Sequence, residues 1–552
     1  MDALVVSCGQ SGDPTSLRRT FPRSGSGDFG RQITCILLVL IACLGLGIRL
    51  RGIDRLSIGG DEQSTAWLSA RGLREVADAQ AFPRLLWLKG NMIAERQPYT
   101  QEFYAGKMKL HHVLKAIMQN DGGNGLAYNV LLFGWISCFG GNDVVMRMLS
   151  VLFGVACIPV AYLCVTGLGG DRRTGLVAAL LTAVHPEMIM YSQLVRNYEM
   201  ATCFSALSSY FFIRLMKGSN LRQCGIGFAF ATTISLLSHY LTIYVFAAQF
   251  LLACVFLRNK HTWVIYAASG SVVIACLTTW LALGGARAYA VLQAQNARLV
   301  GLMLKHDPAY LWMKPLTWDN FVQGWWQQLC LMSGLLPYTC PLSLFTPLRV
   351  AFALALVATV IAVLLLRRQH IQPRLFRVLC LAFSVLCMML AAPIMASILS
   401  LMNHHVLPFL PRYAIFSAPY FVLLLALAFG ALMRPWGNIY TRVGLTSLSV
   451  FLLVQFVAIE VSAREVFDHA YPSSPNPFMT AARVIQLHYR KNDVVVFPSW
   501  VEAAYTNMYL PAEPTIKQRV DPGLKHKLIL QRADRSTQEL FDFDGNTFSS
   551  PI

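Results

Sequence analysis

Long apolar runs separated by short polar connections dominate the chain. A helix needs about 20 apolar residues to cross the hydrocarbon of a bilayer. Runs at roughly 32–50, 144–166, 175–193, 198–216, 223–240, 241–257, 263–283, 346–366, 376–398, 413–433 and 443–461 approach or meet that length, and predict eleven membrane-spanning helices. The pair over 223–257 is nearly continuous, with its boundary near His239. Three segments are too polar to span: 51–143, 284–345 and 462–552. Within the first, Leu126 to Phe139 is apolar over 14 residues, a length suited to a helix lying along the interface. The second is rich in tryptophan (Trp312, Trp318, Trp325, Trp326), a residue that favours the membrane–water boundary. The third holds a strand signal, Asp493 to Phe497, and then a helical stretch around Val501 to Met508. It predicts a small α/β appendage. No fixed-period repeat is present.

The short connections carry the topology. Basic clusters occur at Arg18, Arg19, Arg23 and Arg31, at Arg172 and Arg173, at Arg214, Lys217 and Arg222, and at Arg258 and Lys260. Further clusters follow at Arg367, Arg368, Arg374 and Arg377, and at Arg434 and Arg442. Every second connection is therefore basic, and cytoplasmic loops are the ones enriched in Lys and Arg. An odd number of spans with a cytoplasmic N-terminus follows, which puts the three polar segments on the outer side. Residues 1–31 form a polar tail, and the run after them lacks a small-residue cleavage site. It reads as an anchored first helix and not a cleaved signal peptide.

Composition agrees. Hydrophobic residues make up 55% of the 552 residues and charged residues 13%, about half the charge of a soluble domain. The net charge of +18 lies largely in the topology clusters, with no zinc-finger spacing or basic-helix repeat, so nucleic acid is not an expected partner. Most of the 14 cysteines sit within apolar runs and none forms a CxxC pair. Cys330 and Cys340 share one outer segment, either as a disulfide or as two free thiols.

Ionisable residues at membrane-embedded surfaces are costly and tend to mark function. Those at the outer mouth are Asp61 and Glu62, His185 and Glu187, Arg196, Tyr198 and Glu199, His239 and Tyr240, and His404, His405, Arg412 and Tyr413. A carboxylate such as Asp61 can take a proton from an acceptor hydroxyl, or Asp61 can simply cap a helix from Gln63 to Arg71. Arg196 can fork onto a phosphate, or pair with Glu187 or Glu199. His239 reads either as a ligand contact or as a satisfied helix-end histidine. His404 and His405 are adjacent, and on a helix they point about 100° apart, a poor arrangement for one metal. Asp542 and Asp544 match a DxD pattern, but no nucleotide-binding pattern precedes them.

In order, these segments resemble the GT-C superfamily of membrane glycosyltransferases that use polyprenyl-phosphate sugars. The likeness is to the bacterial branch related to protein O-mannosyltransferases and the aminoarabinose transferase. It is carried by Gly60-Asp61-Glu62 with Trp67 to Gly72, by Asn124 to Phe139, by Val145 to Gly154 with Arg147, and by Gly170 to Gly175. His185 to Gln193 with Arg196 and Tyr198, Ser238-His239-Tyr240, and Pro411-Arg412-Tyr413 complete it. Members often carry His-Pro-Pro or Lys-Pro-Pro before the interfacial helix. Here that stretch reads Asp121 to Asn124, without proline or lysine, and His111, His112 or Lys115 are the nearby substitutes.

The resemblance implies an all-α GT-C-like membrane domain over 32–461, with juxtamembrane helices in the first outer loop and a small C-terminal domain over 462–552. It implies transfer of a sugar from a polyprenyl-phosphate donor to a glycan, lipid or protein hydroxyl on the periplasmic side of a bacterial inner membrane, with inversion. Asp61 is then the general base, and Glu62 orients it or, with it, holds a divalent metal ion. Arg196 and Arg412 neutralise the leaving phosphate, while Tyr198, His239, Tyr240 and Tyr413 line the substrate. A lipid-diphosphate oligosaccharide ligase or polymerase, and a flippase for lipid-linked sugar, are the alternatives.

Overall fold

A computed structural model describes residues 25–54, 94–96, 109–120, 125–257, 259–287, 314–334, 373–409, 411–433, 444–453, 477–498, 516–524 and 527–542. Single positions at 62, 65, 66, 69, 290, 293–294, 297, 300–301, 455, 503, 506 and 510 are also described. Asp61, Cys340, Asp544 and the run at 346–366 lie outside them.

The bundle begins with α1 (Gly25–Leu50), which exposes Ile36, Val39 and Leu40 as a lipid-facing surface. After the first loop come α2 (Leu110–Asn120), α3 (Leu126–Phe139) and α4 (Asp143–Leu168). Asn142 caps α4 by accepting from the Val145 amide, and Gly169 ends it in the left-handed region. Asp171 caps α5 (Arg172–Ala183) through Thr174. The chain then breaks: α6 (Pro186–Ser192) starts on a proline and is bent 56° from α5. The run at 175–193 is thus a broken helix and not a straight span.

Next are α7 (Tyr198–Met216), α8 (Leu221–Ser238), a 3-10 turn (Tyr240–Thr242), α9 (Ile243–Phe256) and α10 (Lys260–Trp280). They are followed by α11 (Trp318–Met332), α12 (Pro373–Asn403), three 3-10 turns between Leu407 and Ser417, α13 (Ala418–Met433) and α14 (Gly444–Leu453). Among the described residues four helices are long and apolar enough to cross a membrane, or five with the bent pair as one. The other predicted spans coincide with described helices, apart from 346–366, and 443–461 is described only in part.

The core lies where α4, α7, α9, α12 and α13 meet, around Phe212, Tyr420, Phe416 and Phe429. Its polar atoms bond to one another, as buried groups in lipid must. The Tyr420 hydroxyl meets Ser205 Oγ (3.1 Å) and Ser209 Oγ (2.8 Å), and Gln249 donates to Ser209 Oγ (2.9 Å).

The C-terminal appendage is α/β, as predicted. α15 (Pro477–His488) precedes a five-stranded sheet ordered β1-β3-β2-β4-β5. The strands are β1 (Ala94–Arg96), β2 (Val494–Phe497), β3 (Ile516–Val520), β4 (Lys527–Gln531) and β5 (Thr537–Asp542). β2 runs parallel to β3, and the other pairs are antiparallel. Val494 to Phe497 are all buried, which fits a central strand covered on both faces. Asp493 is held by Arg532 at 2.8 Å. β1 comes from the first loop, so the sheet ties that loop to the C-terminal domain.

Candidate functional site

The described positions after α1 form one face. Glu62, Thr65, Ala66 and Ser69 recur at helical spacing, are helical and are all buried. Ala66 joins the apolar cluster of Tyr128, Leu132, Ile136, Met146, Leu149, Val195 and Met200. Ser69 donates to Asn129 Oδ1 at 2.9 Å. The first loop therefore lies against α3, α4 and the chain segment between α6 and α7.

Glu62 is the anchor of that packing. Arg147 of α4 reaches both its oxygens, Nε to Oε1 at 3.2 Å and Nη2 to Oε2 at 3.1 Å. Arg147 also donates to the Ile53 carbonyl at 2.8 Å. The Val195 amide donates to Glu62 Oε1 at 2.8 Å. The carboxylate is buried and its oxygens are engaged by protein donors. Among the described residues no group of three or more His, Cys, Asp or Glu is placed to hold a metal ion.

Val195 leads directly into the arginine expected to meet phosphate. Arg196 is buried, donates to Thr65 Oγ1 at 2.7 Å, and sits 5.4 Å from the Tyr198 ring centre. Tyr198 opens α7 and packs against His239 at 5.6 Å between ring centres. His239 also packs on Phe416 (4.8 Å) and Tyr413 (6.3 Å). Arg412 lies over the Tyr413 ring at 5.2 Å, and the Tyr240 ring is 6.0 Å from His239. Asn197 donates to the Ser238 carbonyl and so joins the α7 start to the α8 end. Glu62, Arg196, Tyr198, His239, Tyr240, Arg412 and Tyr413 are thus brought together from four separate parts of the chain.

His239 separates α8 from the 3-10 turn and belongs to neither helix. Nδ1 accepts from the Leu241 amide at 3.3 Å, so the proton resides on Nε2. That Nε2–H is buried and meets no hydrogen-bond partner among the described residues. With Tyr198 under the Arg196 guanidinium and Tyr413 under that of Arg412, both packed on His239, such a donor suits an anionic oxygen.

Other residues of the sequence list fall elsewhere. His185 bonds to the Met332 carbonyl (3.0 Å) and the Met188 amide (3.4 Å), and both serve the helix break. Glu187 and Glu199 are buried inside the bundle. His404 is exposed at a positive φ, while His405 pairs with Pro315 across an isolated bridge. The His111 and His112 rings touch at a tilt of 51° near the start of α2. The sequence reading assigned no role to Thr65, Arg147 or Asn197. Arg147 and Asn197 stood inside the quoted motifs, but their partners are far along the chain.

Residues 126–282 match the family described as dolichyl-phosphate-mannose-protein mannosyltransferase. The solved structure of ArnT from Cupriavidus metallidurans in the apo state is 12% identical, covers 86% of this chain and 84% of its own, and superimposes with a TM-score of 0.50. The ArnT likeness, at 12% identity, shows a shared fold, and the family match is confined to residues 126–282. The undecaprenyl-phosphate-bound ArnT structure gives 13% identity, 86% and 85% coverage and a TM-score of 0.47. The apo oligosaccharyltransferase of Archaeoglobus fulgidus gives 13% identity, 88% and 60% coverage and 0.46. A search of curated protein sequences returned no match. The matched segment contains α3 to α10, and with them Arg147, Arg196, Tyr198, His239 and Tyr240.

Proposed function

We propose that the chain transfers a sugar from a polyprenyl-phosphate donor to an acceptor hydroxyl, with inversion, on the outer, periplasmic side of a bacterial inner membrane. The observation that carries this reading is the convergence of Arg196 and Arg412, through the Tyr198 and Tyr413 rings, on the buried His239, whose Nε2–H meets no hydrogen-bond partner among the described residues. Two fixed positive charges with a neutral donor suit a phosphate whose charge grows as its bond to the sugar breaks. The family description of residues 126–282, a dolichyl-phosphate-mannose enzyme, supports the same donor class. The alternation of basic connections supports the outer face.

Asp61 is the general base. It is the sequence neighbour of Glu62, and Glu62 is locked to Arg147 and the Val195 amide next to Arg196. Glu62 is thus a positioning residue for Asp61. The acceptor oxygen attacks the anomeric carbon opposite the phosphate and its proton passes to Asp61. The carbon–oxygen bond to the phosphate breaks, and the electron pair leaves on the polyprenyl phosphate. Arg196 and Arg412 neutralise that charge and His239 Nε2–H donates to it. Tyr198, Tyr240 and Tyr413 frame the sugar. Glu62 is already committed to protein donors, so no step is routed through a metal.

The test supplies radiolabelled polyprenyl-phosphate sugars, one at a time, to membranes containing the protein and follows loss of label from the donor. Consumption of one donor supports the reading and names the sugar. Consumption of none, with folded protein present, overturns it in favour of a lipid-diphosphate donor or of lipid movement between leaflets.

A further inference from the structure

The break between α5 and α6 removes a backbone donor. In a continuous α-helix the N–H of residue 186 would bond to the carbonyl of residue 182, but residue 186 is proline and has no N–H. With the 56° bend, the last carbonyls of α5 need other partners. Arg49, near the end of α1 and fully buried, supplies them. Its Nη2 donates to the Thr182 carbonyl at 3.4 Å, and its Nη1 to the carbonyls of Ala183 at 2.9 Å and Gly45 at 3.2 Å. A cation at a helix C-terminus also meets the negative end of the helix dipole.

The surroundings are built to admit this side chain. A Cβ at Gly154 would lie 2.8 Å from Arg49 Nε and 2.7 Å from Ser192 Cβ, so only glycine lets the guanidinium pass. At the far end of α6 the contact is returned. Gln193 Nε2 donates to the carbonyls of Arg49 at 2.8 Å and Arg51 at 3.1 Å. Arg49 therefore fastens the end of α5, just before the break, and Gln193 fastens the end of α6, both to the point where the first loop begins. Val195 and Arg196 follow directly, and Glu62 takes the Val195 amide from the other end of that loop stretch.

We propose that Arg49, with Gln193, is a positioning clamp that sets Arg196 against the loop carrying Asp61 by replacing the donors lost at the Pro186 break. This rests on the glycosyl-transfer reading, in which Arg196 meets the donor phosphate. The fork of the guanidinium does this work, and its charge alone does not. Arg49 also lies in the electrostatic field of buried Glu199, so a purely charge-balancing role is the competing explanation. Lysine separates the two: it keeps the charge but cannot span the Thr182 and Ala183 carbonyls in a planar fork.

The experiment compares wild type, Arg49→Lys and Gln193→Leu, the last leaving every buried charge in place. Hydrogen exchange is read over residues 186–199, and donor kcat and KM are measured on protein shown to be folded by its thermal transition. The clamp predicts faster exchange in that segment for both variants, with α13 unchanged. It also predicts a fall of about 100-fold in kcat/KM for Arg49→Lys, the scale of an ångström-sized misplacement, and a smaller fall for Gln193→Leu. Arg49→Lys with wild-type exchange and wild-type kinetics overturns the clamp in favour of charge balance. Faster exchange with unchanged kcat/KM overturns it as well, leaving Arg49 a role in stability only. If wild type transfers no sugar, the proposed function fails by itself, and the exchange readout still decides whether Arg49 and Gln193 hold the segment.

Discussion

Replacing Arg147 by methionine should release the first loop without altering any group that touches substrate. Arg147 and Glu62 form a two-pronged ion pair with side-chain exposures of 2% and 9%, so solvent screens it little. The substitution removes both bonds to Glu62 and the bond to the Ile53 carbonyl, and leaves a buried carboxylate with only its remaining partners. Removing one member of a buried pair costs about 3–5 kcal/mol. At 1.36 kcal/mol per tenfold, that raises the population with an open first loop roughly 10²- to 10⁴-fold. Glu62→Gln should do less, because its amide oxygen can still accept from Val195 and Arg147; a lost charge-assisted bond is worth about 1.5–3 kcal/mol. Hydrogen exchange of the 193–199 segment and donor turnover, measured on both variants and on the double variant, give the coupling. Arg147→Met with wild-type exchange and wild-type turnover would refute the claim that this pair holds the loop at the site.

Two further outcomes follow from the geometry. Gly154→Ala places a methyl 2.7 Å from Ser192 Cβ, and overpacking of this kind costs about 1–3 kcal/mol, read as a lower thermal midpoint in detergent. Glu95→Pro in β1 should free the outer side of β3, with amides of residues 516–520 exchanging about two- to tenfold faster for each net bond lost, while β2, β4 and β5 keep their protection.

The spans were largely legible, because length and apolarity alone set them. The run from 198 to 216 and the interfacial stretch from Leu126 to Phe139 coincide with α7 and α3 residue for residue, since polar or glycine positions bound them on both sides. The bend at His185 and Pro186 was less legible. A proline marks a break, but the side chain that bonds the carbonyls beside it is Arg49, which lies more than a hundred positions earlier. β1 was invisible: three residues in a polar loop show no alternation, and their pairing depends on β3 at the other end of the chain. The motif residues Arg196, Tyr198, His239, Arg412 and Tyr413 do converge. Glu62 looked like a metal or base partner because acids side by side suggest one. Its neighbours in space, Arg147 and the Val195 amide, make it an anchor.

The central claim is that Asp61 removes the acceptor proton while Arg196, His239 and Arg412 hold the donor phosphate. The direct measurement is donor binding and single-turnover transfer by purified wild type and Asp61→Asn, using whichever polyprenyl-phosphate sugar the wild type consumes. The account predicts unchanged donor affinity with turnover lowered about 10²- to 10⁴-fold, the usual contribution of a general base. Folded Asp61→Asn that transfers sugar at the wild-type rate would contradict it.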